Sequence, residues 1–139
     1  MKKHYLTILA VVLTAFSTAS AKNLDAVTNL DAAIEQATKE NKPLFIMMGR
    51  EACGNCKQLH SDIAKGQVRV TKANFVIVDL NCDDQETNKA FNSRYKVGGG
   101  MLPFVVIAKP DGTMVASHKG AADPKAFNKF ITDAKKDLK

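Results

Sequence analysis

Two of the chain's three cysteines stand at Cys53-Gly54-Asn55-Cys56. They follow an apolar run, Pro43-Leu44-Phe45-Ile46-Met47-Met48, and precede a helical pattern from Lys57 to Lys65. A strand that stops, two cysteines and then a helix is a setting for thiol chemistry. The start of a helix presents unsatisfied N–H groups and the positive end of the peptide dipoles, and both favour a thiolate over a thiol. Cys53 is therefore the expected nucleophile. Cys56, one turn on, is placed to attack a mixed disulfide formed on Cys53 and release the partner.

Other uses of this motif fit less well. A structural zinc ion needs four ligands, and His60 with Cys82 would have to complete the set at a spacing that matches no compact zinc pattern. Covalent haem attachment needs histidine directly after the second cysteine, where Lys57 stands. A disulfide inside so short a segment closes a very small loop and adds little stability. Redox exchange is the favoured reading, with a metal-binding or metal-delivery protein (Cys53, Cys56, and His60 or Cys82) and a redox-inert interaction module as the alternatives.

The elements that must position the pair can be read from periodicity. Residues 29–41 form a helical pattern with Leu30, Ala33, Ile34 and Ala37 on one face, and Asn29 or Asp31 near its start. A strand over 44–48 leads into the cysteine helix, which Gly66 stops. A second strand spans 75–80 and a helix 84–95, with Ala90, Phe91 and Tyr95 as apolar contacts. Gly98-Gly99-Gly100 breaks the pattern. A strand over 104–108, a Pro110-Asp111-Gly112 turn and a strand over 113–118 make a hairpin. Asp123-Pro124 opens a last helix that runs to Leu138 and buries Phe127, Phe130, Ile131 and Ala134. Alternation of strands and helices implies parallel pairing, to which the late hairpin adds antiparallel strands.

The N-terminus reads as an address. Lys2-Lys3 precede an apolar run from Tyr5 to Phe16, and Ala19 and Ala21 are spaced as a cleavage site, the pattern of a secretory signal peptide. The run is short for a membrane span. Residues 1–21 are thus the expected signal peptide and 22–139 a single domain, placed in the periplasm or secreted. Export to an oxidising compartment favours disulfides, and with three cysteines one is left over if Cys53 and Cys56 pair. The net charge of +6 is spread along the chain, with no basic patch interleaved with aromatics, so no nucleic-acid role is expected.

The order of elements, with the cysteines opening the helix after the first strand, resembles the thioredoxin-like superfamily over nearly all of residues 22–139. The resemblance implies an α/β thioredoxin fold, a mixed four- to five-stranded sheet with helices on both faces. It also implies that Pro103, in Met101-Leu102-Pro103-Phe104, is a cis-proline beside the active-site pair. A substrate strand would then pair with Leu102. Gly120 and the Pro110-Asp111-Gly112 turn occupy family positions as well.

The departures narrow the comparison. Thioredoxin has tryptophan before the first cysteine, where this chain has Ala52; there is no Trp anywhere. Six residues before that cysteine thioredoxin has a buried aspartate that moves the proton of the second thiol, and here Met47 takes that place. Deprotonation of Cys56 must then use water, Glu51 or Lys57, with Glu51 favoured as an exposed charge and His60 one turn beyond Cys56. The chain is similar to the exported group that includes the anterior-gradient proteins and the C-terminal domain of DsbD-type reductases. The resemblance implies a thiol–disulfide oxidoreductase, leaning to reductase. Cys53 and Cys56 would be catalytic, Leu102 and Pro103 would hold substrate, and Gly54, Asn55, Lys57 and Glu51 would surround the pair. Cys82 reads either as an auxiliary thiol or as a small buried hydrophobe, and the residues favour the second. No cofactor is implied. The implied partners are protein disulfide or dithiol substrates and a redox protein, which could be membrane-bound, acting with a monomer.

Overall fold

The apolar run after Pro43 is buried without a break from Leu44 to Gly49, as befits a strand covered on both faces. In the computed structural model, which describes residues 24–97 and 99–139, this run is β1 (Leu44–Gly49) and lies inside a four-stranded sheet. The expected signal peptide, residues 1–21, and Gly98 lie outside the described residues. The other elements are α1 (Leu30–Glu40), α2 (Gly54–Ala64), β2 (Val76–Asn81), α3 (Gln85–Tyr95), β3 (Phe104–Ala108), β4 (Met114–Lys119) and α4 (Pro124–Ala134).

The sheet order is β2-β1-β3-β4. β1 runs parallel to β2 and antiparallel to β3, and β3 is antiparallel to β4. Val27 adds one parallel bridge to Val78 at the outer edge of β2, a one-residue trace of a fifth strand. The pleat of β1 divides the core. Leu44, Ile46 and Met48 pack with Leu30, Ala33 and Ala37 of α1 and Phe91 and Tyr95 of α3. Phe45 and Met47 pack with Leu59 and Ile63 of α2 and Phe127, Ile131 and Ala134 of α4. The mixed sheet with two helices on each face is the architecture the sequence implies.

Helix boundaries follow local chemistry. Asn29 caps α1, its Oδ1 accepting the Ala32 N–H at 2.9 Å, and Asn41 ends it in the left-handed region at φ 50°. Asp84 and Asp123 cap α3 and α4 in the same way. Two expectations are corrected. Ala90 is exposed, because α3 turns only Phe91 and Tyr95 fully inward. α4 stops at Ala134, where its apolar face ends; Lys135, Lys136 and Asp137 are exposed, and turns fold Leu138 back against the α2–α4 side of the core.

Phe91 lies 5.1 Å from the Tyr95 ring and 5.8 Å from Phe104, so Phe91→Ala is expected to cost about 3–5 kcal/mol in urea unfolding. Tyr95 differs. Its Oη is buried with no hydrogen-bond partner among the described residues, and burial pushes the phenol up to about 12. Removing an unsatisfied hydroxyl removes a desolvation cost, so Tyr95→Phe should leave stability within about 1 kcal/mol of the parent or raise it. A larger loss would mean that the hydroxyl has a favourable role.

Candidate active site

The chain leaves the sheet at Gly49 and passes through Arg50, Glu51 and Ala52 into α2. Cys53 is the N-cap, in extended geometry (φ −85°, ψ 107°). Its Sγ accepts the Cys56 N–H at 3.1 Å, and its carbonyl accepts the Lys57 N–H at 3.1 Å. A sulfur in this place receives the helix N–H groups that stabilise a thiolate. Cys53 and Cys56 are joined as a disulfide, with 5.3 Å between their Cα atoms. The two sulfurs differ in access: Cys53 is half-buried, whereas the Cys56 residue is only 3% exposed. Gly54, Asn55, Glu51 and Lys57 are all exposed around the pair.

Gly49 backs directly onto the second cysteine. A Cβ at that position would stand 2.9 Å from Cys56 Sγ, closer than carbon and sulfur can pack. The Leu102–Pro103 peptide is cis, as the resemblance implies. Pro103 is buried and Leu102 half-buried. Met48 pairs with Phe104, so the next step of that register sets Pro103 beside Gly49 and brings this loop to the same end of the sheet as the cysteines. Gly120 donates its N–H to the Pro103 carbonyl at 2.9 Å, holding the loop from β4's side. Met101, just before it, is 70% exposed.

Two cavities open here, and Arg50 lines both. One, of about 570 Å³, is bordered by Glu51, Cys56, Lys57, His60 and Asp79. The other, of about 250 Å³, is bordered by Cys82, Phe91, Met101 and Leu102. Cys82 is a free, half-buried thiol. Arg50 Nη2 donates to its Sγ at 3.4 Å and pairs with Asp83 at 3.3 Å. Cys82 packs against the α1–α3 side of the core, in keeping with the small hydrophobe favoured from the sequence, and it also has a cationic neighbour and lines a cavity. Among the described residues, no group of three or more His, Cys, Asp or Glu side chains could hold a metal ion, so His60 and Cys82 do not complete a metal set with the cysteine pair.

Sequence reasoning missed the partner of His60. Its Nε2 lies 3.3 Å from Asp79 Oδ1. The only available signal was an acid interrupting the apolar β2 run. Met47 is buried at 1% exposure, and Asp79 is its register partner on β2. A buried acid does exist on α2, Asp62, but it accepts a hydrogen bond from Gln58 at 2.8 Å and stands roughly 9 Å along the helix axis from Cys56.

Residues 30–135 match the profile of the thioredoxin-like domain family. The chain belongs to that family. Among solved structures, this thioredoxin-like protein is similar to a thioredoxin variant from Halobacterium salinarum (20% identity, 78% of this chain and 88% of that one, TM-score 0.60). It is also similar to a thioredoxin-like protein from Clostridium perfringens (16%, 86% and 90%, TM-score 0.60). A third is mitochondrial thioredoxin 3 from Saccharomyces cerevisiae in its oxidised form (25%, 77% and 94%, TM-score 0.56). No curated protein sequence gives a significant match. The thioredoxin-like fold with its paired cysteines supports a thiol–disulfide oxidoreductase.

The Gly49 contact yields a test. Gly49→Ala should press on Cys56 Sγ most when that sulfur is tied to Cys53 and least when the free thiol can rotate. Overpacking of this kind costs about 1–3 kcal/mol, so the reduction potential of the pair should rise by roughly 20–60 mV in a glutathione equilibrium read by thiol trapping. An unchanged potential would show that the contact relaxes without affecting the bond.

Proposed function

We propose that this protein is an exported thiol–disulfide oxidoreductase that reduces disulfides in protein substrates. The observation that carries the reading is the asymmetry of the pair: a half-buried sulfur at the N-cap of α2 and a covered one behind it. In the dithiol form the Cys53 thiolate attacks one sulfur of a substrate disulfide. A Cys53–substrate bond forms, the substrate S–S bond breaks, and the other substrate sulfur leaves as a thiolate and takes up a proton. Cys56 then loses its proton and attacks Cys53 Sγ. The Cys53–Cys56 disulfide forms and the second substrate thiol is released, so two electrons have passed from protein to substrate.

Leu102 and Pro103 are the proposed backbone contacts for the substrate strand. Proline has no N–H to compete there, and the neighbouring carbonyl and N–H groups can pair with an extended peptide. Gly54 and Asn55, exposed between the cysteines, leave the approach to Cys53 open, while Glu51 and Lys57 add charge at its rim. The lean to reductase is supported by the small size of the domain, which carries no inserted helical unit among its described residues. The pattern of residues 1–21 supports export to the periplasm or beyond, and re-reduction by a redox partner, membrane-bound in this reading, closes the cycle. The cysteine pair needs no organic cofactor, and the proposed working form is a monomer.

Insulin reduction with dithiothreitol as electron source tests the roles. Cys53→Ser should abolish activity, and Cys56→Ser should accumulate a mixed disulfide on Cys53 that non-reducing mass analysis detects. The reduction potential of the parent should fall near −270 mV, about the value for thioredoxin. A value near −120 mV, about that of a strong oxidant, would reverse the direction of the reaction.

A further inference from the structure

The resolving step requires a base for Cys56, and the carboxylate that would serve it is replaced by Met47, a buried thioether with no proton to exchange. The structure sets a different acid–base pair beside the same thiol. Asp79 lies across from Met47 in the β1–β2 register and continues the face on which Phe75 and Ile77 pack toward α2. It reaches His60 Nε2 at 3.3 Å. His60 is four residues after Cys56 on α2, on the same helix face and about 6 Å away between Cβ atoms. Both border the cavity of about 570 Å³, which is large enough to admit water beside the polar side chains of His60 and Asp79.

We propose that His60, oriented by Asp79, is the proton acceptor for Cys56 in this protein. The inference rests on the assignment of Cys56 as the resolving thiol. In the neutral imidazole one ring nitrogen donates and the other accepts. The Asp79 carboxylate accepts the Nε2–H and leaves Nδ1 as the basic nitrogen. During resolution the Cys56 proton passes to His60, directly or through one water in the shared cavity. The Cys56 thiolate attacks Cys53 Sγ, and the substrate sulfur leaves as a thiolate. The imidazolium, held against Asp79, later returns the proton to solvent or to the leaving sulfur. Charge and atoms balance with no further reactant. Asp79 is a positioning residue, acting through His60.

The other charged groups on this cavity are poorer candidates. Arg50 stays protonated and is engaged by Cys82 and Asp83. Glu51 and Lys57 are exposed on the turn and first turn of α2. Asp84 caps α3, and the Thr87 N–H that it accepts at 2.7 Å holds its carboxyl below the usual range. The imidazole is also the side chain suited by its intrinsic chemistry to exchange protons near neutral pH.

The test separates the two sulfurs. Reduced protein, in a Cys82→Ser background common to every sample, is mixed with a small excess of 5,5′-dithiobis(2-nitrobenzoate). Attack by Cys53 releases one chromophoric thiolate, and resolution by Cys56 releases the second. His60→Gln and Asp79→Asn, both at partly exposed positions, should leave the first phase unchanged. They should slow the second by roughly 100-fold or more at neutral pH. Asp79→Glu should restore much of the rate. A second phase with the parental rate in both variants would overturn the proton-acceptor assignment alone. A parent with no second phase, its adduct persisting on Cys53, would overturn the resolving role of Cys56 and the relay with it.

Discussion

The close approach of β1 to the first turn of α2 is the constraint on which the active end of this molecule depends. A helix that starts almost as soon as a buried strand stops must bring its first turn against the strand's last residue. Only glycine at position 49 leaves space for the Cys56 sulfur, since a Cβ there would stand 2.9 Å away. That contact covers the second sulfur. The N-cap position of the first sulfur leaves it reachable and gives it the N–H of Cys56 as a donor. Difference in access, rather than any difference between the two cysteines as residues, gives them different chemistry.

The same end of the sheet collects the other parts of the site because β1 is paired on both sides. Its antiparallel partner β3 delivers the Leu102–Pro103 peptide, and its parallel partner β2 delivers Asp79 and, just beyond its end, Cys82. Arg50 sits between these two flanks. It borders the cavity beside Cys56 and also the one beside Cys82, and its guanidinium is held by the Cys82 sulfur and Asp83. The cation is exposed and its individual ion pair is weak, but it gives both cavities a common positive edge next to sulfur.

Relative to thioredoxin, the acid has moved from one strand to its neighbour. Met47 keeps the space beneath the pair apolar, and the carboxylate on β2 is half-exposed and paired with an imidazole. A deeply buried carboxylate bears a large desolvation penalty when charged. One that stays partly exposed at the wall of a cavity bears less. In the proposed relay the proton of the second thiol is handed to a group at the cavity wall rather than to one beneath the sheet.

Much of this architecture is legible in the residues alone. The unbroken apolar run after Pro43, the helix caps Asn29 and Asp123, the Pro110-Asp111-Gly112 turn and the cysteine spacing are local signals, and local signals place elements to within a residue or two. They were enough to imply the α/β sheet and the redox pair. What failed or was missed depends on who faces whom. Ala90 sits beside Phe91 in sequence yet points outward, and α4 ends where its apolar stripe runs out, four residues before Leu138. The link between His60 and Asp79 joins a helix to a strand, and the bond from Arg50 to Cys82 joins two loops. No periodicity encodes either, because parallel register and helix rotation set them only after the core has packed. Residue types and spacing by themselves therefore pointed to thiol–disulfide chemistry, and folding decided which sulfur is the more exposed and which side chains stand beside the covered one.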